Sequence, residues 1–247
     1  VHPDKIRYMN VSYPDYNYGI NELKKFCSEI DMLILINPDN PSGNFINKND
    51  LIELITFCKN NQKLIVVDES FVDFSQEGEK NSIICDEIVS QYGNLVIVKS
   101  ISKSYGVPGI RLGTAVTSNK DILDKIKSYI SIWNINSFGE YFLQIIGKYK
   151  SNYTDACSKI AAERDRFFEE LKKITFLRPL PLQANYFLCE VTGKCTSTEL
   201  TRMLLNKNSI LIKDLYGKRG FKEKQFIRLA VRNKEDNDYL ITILSQI

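Results

Sequence analysis

The sequence predicts an α/β fold, a mostly parallel sheet flanked by helices, followed by a small α+β unit. Three observations carry that prediction. Continuous apolar runs, rather than alternating ones, recur through the first two thirds of the chain. Segments with helical spacing separate them, as crossover connections between parallel strands require. The last third then changes to short strand-like runs among helices.

The first run, "DMLILI" (31–36), empties into the turn-rich loop "NPDNPSG". A helix is predicted over "NKNDLIELITFCKNN" (47–61), where Leu51, Leu54, Ile55 and Cys58 share one face and Asn47 or Asn49 can cap the start. "KLIVVDES" (63–70), "NLVIVKS" (94–100) and "LGTAVTS" (112–118) are the next buried runs, and together they imply a parallel or mixed sheet covered on both faces. From Asn119 to about Ile174 the pattern is helical, broken at Trp133–Ser137. "ANYFLCEV", "ILIKDL" and "QFIRLAVR" read as strands, and "TSTELTRMLLNKN" and "EDNDYLITILSQI" as helices. These patterns place a domain boundary between residues 136 and 137. Residues 1–136 then form part of a large domain and 137–247 a small C-terminal one.

Composition narrows the function classes. The 247 residues include 33 basic and 30 acidic side chains, a net charge of +3 with no basic cluster, which argues against nucleic acid or a membrane surface as partner. The longest apolar runs are too short to span a bilayer, and the first residues lack the apolar centre of a signal peptide. Six cysteines without a C-x-x-C pair argue against a disulfide framework or a metal site and for reduced thiols in the cytoplasm. His2 is the one histidine, so Ser-His-Asp and Cys-His chemistry are disfavoured. Catalysis must therefore use Lys, Asp, Arg, Tyr or a cofactor.

Ligands of open α/β sheets bind beyond the carboxyl ends of the strands. Strand 31–36 offers Asn37, Asp39 and Asn40 there, strand 64–67 offers Asp68, and strand 95–98 offers Lys99, Ser100, Ser102 and Lys103. An amide, a carboxylate, hydroxyls and a lysine converge on one edge. In "VKSISKSYGVPGIRLG" Lys103 and Arg111 stand among small and apolar residues, so Arg111 reads as buried. The set suits a cofactor that is anionic at one end and basic at the other.

"NPDNPSG", "VVDESF", "SISKSYG" and "GIRLG", in this order, resemble the pyridoxal-phosphate enzymes of the aspartate aminotransferase fold. With "ILIKDLYG" and "FIRLAVRNKEDND", the resemblance is to the class I/II group that includes histidinol-phosphate aminotransferase and threonine-phosphate decarboxylase. It runs over almost the whole chain. It implies that Lys103 forms the Schiff base with the aldehyde of pyridoxal 5'-phosphate, its ammonium disfavoured by burial and positive neighbours. It implies Arg111, Ser100 and Ser102 on the cofactor phosphate, Asp68 on the pyridine nitrogen and Asn40 on the ring's phenolic oxygen. Arg228 is implied to hold the substrate α-carboxylate, with Asn185 and Asn136 near the substrate. Tyr186 and Trp133 are expected to be packing residues.

Two departures matter. Phe71 stands where many members have a tyrosine on the cofactor phenolate, and with "RLAVR" it leans slightly toward the decarboxylase. The family's large domain also has about a hundred more residues before the segment resembling 1–30, supplying a helix N-terminus for the phosphate, a stacking aromatic and dimer contacts. The resemblance thus implies the C-terminal part of a larger enzyme, a homodimer when full length. A cytoplasmic biosynthetic aminotransferase acting on an amino acid or phosphorylated amino acid, with a 2-oxo acid as second substrate, is the leading expectation. A decarboxylase on the same fold comes second, and a non-catalytic domain third.

Overall fold

The computed structural model describes residues 3–247; His2 lies outside the described residues. The chain forms two compact units, one comprising the residues up to Met9 with Tyr18–Pro38 and Phe45–Cys157, the other Asn10–Asn17, Asp39–Asn44 and Ser158–Ile247. The division expected at 136/137 falls at the cap of a helix inside the first unit.

In the first unit α1 (Ile20–Cys27), β1 (Met32–Ile36), α2 (Lys48–Asn60), β2 (Leu64–Asp68), α3 (Asp86–Val89), β3 (Leu95–Ser100), α4 (Ile101–Ser104), β4 (Gly113–Val116), α5 (Lys120–Tyr129) and α6 (Ser137–Ile145) follow in order. The sheet runs β1-β2-β3-β4. The first three strands are parallel, and β4 returns antiparallel to β3. α2 forms because Leu51, Leu54, Ile55 and Cys58 recur on one face, and all four are fully buried. Asn47 is its cap, accepting from the Asp50 N–H at 3.0 Å. These side chains pack with Leu33, Leu35, Ile65, Val67, Leu95 and Ile97 of the strands and Leu23 and Cys27 of α1.

The expected two-sided cover is incomplete. β1 alternates, with Leu33 and Leu35 buried but Ile34 64% exposed. Its continuous apolar sequence therefore leaves Met32 and Ile34 exposed on the second face.

In the second unit the end of α7 (Lys150–Leu171) leads to β5 (Leu177–Pro179), β6 (Tyr186–Val191), α8 (Ser197–Asn208), β7 (Lys213–Asp214), β8 (Phe226–Ala230) and α9 (Lys234–Leu244). The sheet order is β5-β6-β8-β7, antiparallel throughout. "ILIKDL" was expected as a full strand, yet only Lys213 and Asp214 pair with β8. Leu211 is 77% exposed there, so the apolar run does not all face the core. Tyr16, Leu180, Leu188, Leu215, Phe221 and Phe226 form a core on one face of this sheet. α8 starts with a capping box, Thr196 with Glu199. Among the described residues no helix is long and apolar enough to cross a membrane.

The loop of "NPDNPSG" needs its glycine. Gly43 has φ +71°, and a Cβ there would lie 2.3 Å from that of Leu182. Gly43→Ala should destabilise the protein by about 2 kcal/mol or more, since the strain of a positive φ adds to overpacking. Urea denaturation checks this; unchanged stability would show that the loop relaxes freely.

Candidate active site

In the first unit the parallel register places Ile36 beside Asp68 and Asp68 beside Val98. The Asp68 carboxylate therefore emerges one position from the strand that delivers Ser100 and α4. Its Oδ1 accepts from the Ser70 N–H at 2.8 Å and the Ser70 hydroxyl at 2.5 Å. The Ser70 Oγ in turn accepts from the Ser100 N–H at 3.0 Å.

Lys103 lies on α4 with its Nζ 4.3 Å from the centre of the Phe71 ring, a cation–π distance. The expected burial of Lys103 is not found. The residue is exposed, as is Arg111. Both stand at the open edge of the sheet beyond the strand ends, where the small residues around them cover little. Arg111 has φ 60° and donates from Nη1 to the Pro108 carbonyl at 3.2 Å. A left-handed arginine is uncommon and costs about 1 kcal/mol or more.

Ser102 is buried and donates to the Leu112 carbonyl at 3.4 Å, so of the two serines Ser100 has the freer hydroxyl. Lys99 was grouped with the strand-end chemistry, but its Nζ is paired with Asp73 Oδ1 at 2.7 Å. Asn136 caps α6, accepting from the Gly139 N–H and donating to the Ile110 carbonyl, both at 2.9 Å. Its amide is committed to backbone, although it borders an apolar cavity of about 530 Å³ lined by Ile110, Phe138 and Phe142. Trp133, expected to pack, is 91% exposed.

The second unit holds its own cluster. Arg228 on β8 donates from Nη1 to Asn40 Oδ1 at 2.8 Å, which leaves the Asn40 NH₂ group available. The Arg228 guanidinium lies 5.2 Å from the centre of the Tyr186 ring, and the buried Tyr186 donates its hydroxyl to the Asp39 carbonyl at 2.5 Å. Tyr186 packs, as expected, and also orients the arginine. Asn37, which belongs to the first unit, exchanges two hydrogen bonds with the Ile46 backbone. Asn185 follows the buried Ala184 and leads into β6; its carbonyl accepts from the Val231 N–H.

Lys213 is the direct register partner of Arg228, so both project from one face of the sheet. Lys218 completes a cationic group. Partial desolvation of its amine, then the neighbouring Arg228 and Lys213 charges, push its pKa below the usual lysine range against the pull of Asp39. Lys213 and Lys218 carry no signal in the sequence, since each alone looks like solvated surface. The strand pairing is what brings Lys213 to Arg228.

The chain belongs to the class I and II aminotransferases, whose family model matches residues 5–244. It is 32% identical over 248 residues to an L-serine phosphate decarboxylase of Campylobacter jejuni, covering 97% of this chain and 62% of that protein. Among solved structures, a histidinol-phosphate aminotransferase from Clostridium acetobutylicum superposes with a TM-score of 0.84 at 29% identity, covering 96% of this chain and 70% of that one. A decarboxylase from Sulfurospirillum multivorans gives 0.85 at 28% identity, covering 96% and 68%. The chain thus spans less than two thirds of the curated relative's length.

The Lys99–Asp73 pair sits behind the strand ends, and Asp73 is only 1% exposed. Lys99→Ala should cost about 3 kcal/mol, because it strands a buried carboxylate. The double replacement Lys99→Ala with Asp73→Ala should cost less than the sum of the two single changes. A denaturation double-mutant cycle checks this; additive losses would mean the two groups do not interact.

Proposed function

We propose that the full-length protein is a pyridoxal-phosphate-dependent aminotransferase acting on an amino acid that carries a second, phosphate-like anion. The observation that carries this reading is the donor set at one strand edge. Asp68 presents Oδ2 with no hydrogen bond from a described residue, while Lys103, Ser100 and Arg111 stand at the adjoining strand end. A carboxylate, a lysine and an arginine match the basic nitrogen, the aldehyde and the phosphate of the cofactor. The donor set therefore fits pyridoxal 5'-phosphate.

Asp68 would hold the ring nitrogen, Arg111 and Ser100 the phosphate, with Ser102 behind them, and Asn40 the phenolic oxygen through its free NH₂ group. Bound there, the cofactor supplies an electron sink that makes bonds to the substrate Cα labile. Lys103 would tether the cofactor and, once released by the incoming amine, carry a proton to and from the substrate Cα. Arg228, held by Asn40 and the Tyr186 ring, would take the α-carboxylate in a fork-to-fork pair. Lys213 and Lys218 would meet the second anion, and Asn185 would line the substrate end. The amide of Asn136 is committed to capping, so its contribution would be to shape the wall.

A second reading is decarboxylation of the same class of substrate. It is favoured by the 32% identity to the serine-phosphate decarboxylase. Phe71, in the place where the resemblance implies a tyrosine, leans the same way. A homodimer in the cytoplasm fits both readings. Ile132, Trp133 and Phe138, each more than 80% exposed, give the first unit an apolar surface of the kind that subunits cover.

Supplying O-phospho-L-serine labelled at its carboxyl carbon, with and without 2-oxoglutarate, separates the readings. The aminotransferase needs the oxo acid and retains the label. Label released as CO₂ at the full turnover rate, without the oxo acid, would replace it with the decarboxylase. Lys103→Ala should abolish turnover under either reading while leaving the fold intact. Arg228→Ala should raise KM at least about tenfold, the loss of one charge-assisted pair. An unchanged KM would move the carboxylate site elsewhere, with Arg232 next to be tested.

A further inference from the structure

Ser70 lies outside the strand-end residues that the proposed function uses, yet it touches two of them. It is 3% exposed. Its N–H and hydroxyl both reach Asp68 Oδ1, at 2.8 and 2.5 Å, and its Oγ lies 3.0 Å from the Ser100 nitrogen. The direction of these bonds is fixed by chemistry. A backbone N–H can only donate, so the Ser70 oxygen must accept from Ser100, and its own proton is left to point at the carboxylate. The hydroxyl has one proton, so it cannot serve Asp68 and another acceptor at once.

We propose that Ser70 is a positioning residue that clamps the Asp68 carboxylate and ties it to the β3 end bearing Ser100. The inference rests on the cofactor reading above. Two donors on Oδ1 set the plane of the carboxylate and leave Oδ2 for the ring nitrogen. The same oxygen fixes the backbone from which the Ser100 hydroxyl and α4 depart. Beyond the β2–β3 backbone pairing, whose last bond runs from the Glu69 N–H to the Val98 carbonyl at 2.9 Å, one buried side chain thereby links the groups proposed for opposite ends of the cofactor. The bare requirement of a turn after β2 would be met by the Ser70 N–H alone, and an alanine would keep that bond. The hydroxyl adds the second donor to Asp68 and the link to Ser100.

The test uses the full-length protein as wild type, Ser70→Ala and Ser70→Thr, with Ser70→Cys as a weak-donor substitute if the threonine does not fold. Without cofactor, hydrogen exchange of the Ser100 amide should be about tenfold faster in Ser70→Ala, the equivalent of ~1.4 kcal/mol, and restored toward wild type by the threonine. With pyridoxal phosphate labelled with ¹⁵N in its ring, Ser70→Ala should move the nitrogen signal toward unprotonated pyridine. It should also weaken cofactor binding about tenfold. Unchanged exchange at Ser100 would remove the link between the strands and overturn the proposal. Faster exchange with an unmoved nitrogen signal and unchanged binding would make Ser70 purely structural and overturn it as well. A wild-type protein that does not bind pyridoxal phosphate would overturn the proposed function itself, and this inference with it.

Discussion

The parallel pairing of β1, β2 and β3 is the constraint on which the strand-end cluster of the first unit depends. In a parallel sheet every strand delivers its carboxyl end to the same edge, so residues far apart in sequence become neighbours without any contact of their own. The register Ile36–Asp68–Val98 places the Asp68 carboxylate beside the strand that continues into Ser100 and α4. Parallel strands require crossover connections, and α2 is the long one here. Its fully buried face ties the hydrophobic core to the geometry of the strand ends.

Behind that edge the chain places more charge than a core normally holds. Glu69, next to Asp68, is 1% exposed and accepts from the Ser82 hydroxyl at 2.6 Å and the Ile83 N–H at 2.8 Å. Burial is the largest influence and raises its carboxyl pKa against those donors. Lys99 and Asp73 form a second polar support on the side of β3 opposite Ser100 in sequence alternation. Tyr105, just past Lys103, stacks on Tyr153 with ring centres 3.9 Å apart, and burial raises the Tyr153 hydroxyl pKa. Of these groups Glu69 has a donor on each carboxylate oxygen, and a satisfied buried polar group rigidifies what it touches, whereas Asp73 Oδ2 and the Tyr153 hydroxyl are buried without a hydrogen bond from a described residue. The exposed Lys103 stands on a turn whose neighbour Tyr105 is held by that ring stack.

Much of this was legible in the sequence because it is periodic or local. The apolar runs of β1, β2 and β3 and the helical spacing of α2 give the elements, and "NKND" gives the Asn47 cap. Asp68 at the end of β2 and Lys103 just past β3 stand out as polar groups after apolar runs, a position visible in sequence alone. What was not legible depends on pairing across the chain. Lys99 looked like a site residue until Asp73, far along the chain, claimed it. Asn136 does line a cavity, but its amide is used by the helix it caps, which the sequence did not show. The exposure of Lys103, Arg111 and Trp133 likewise turns on what packs over them, which local pattern does not encode. Ser70 had a faint signal, since a serine two residues after an aspartate can close a local turn. Nothing in the sequence points to its second partner, Ser100.

The proposed function requires Lys103 to be the covalent anchor for pyridoxal phosphate at the edge defined by Asp68. The most direct measurement is borohydride reduction of the cofactor-loaded full-length protein, followed by mass analysis of its peptides. The account predicts one stable pyridoxyl group per chain, carried by Lys103. The same label on another lysine, or none at all, would contradict it.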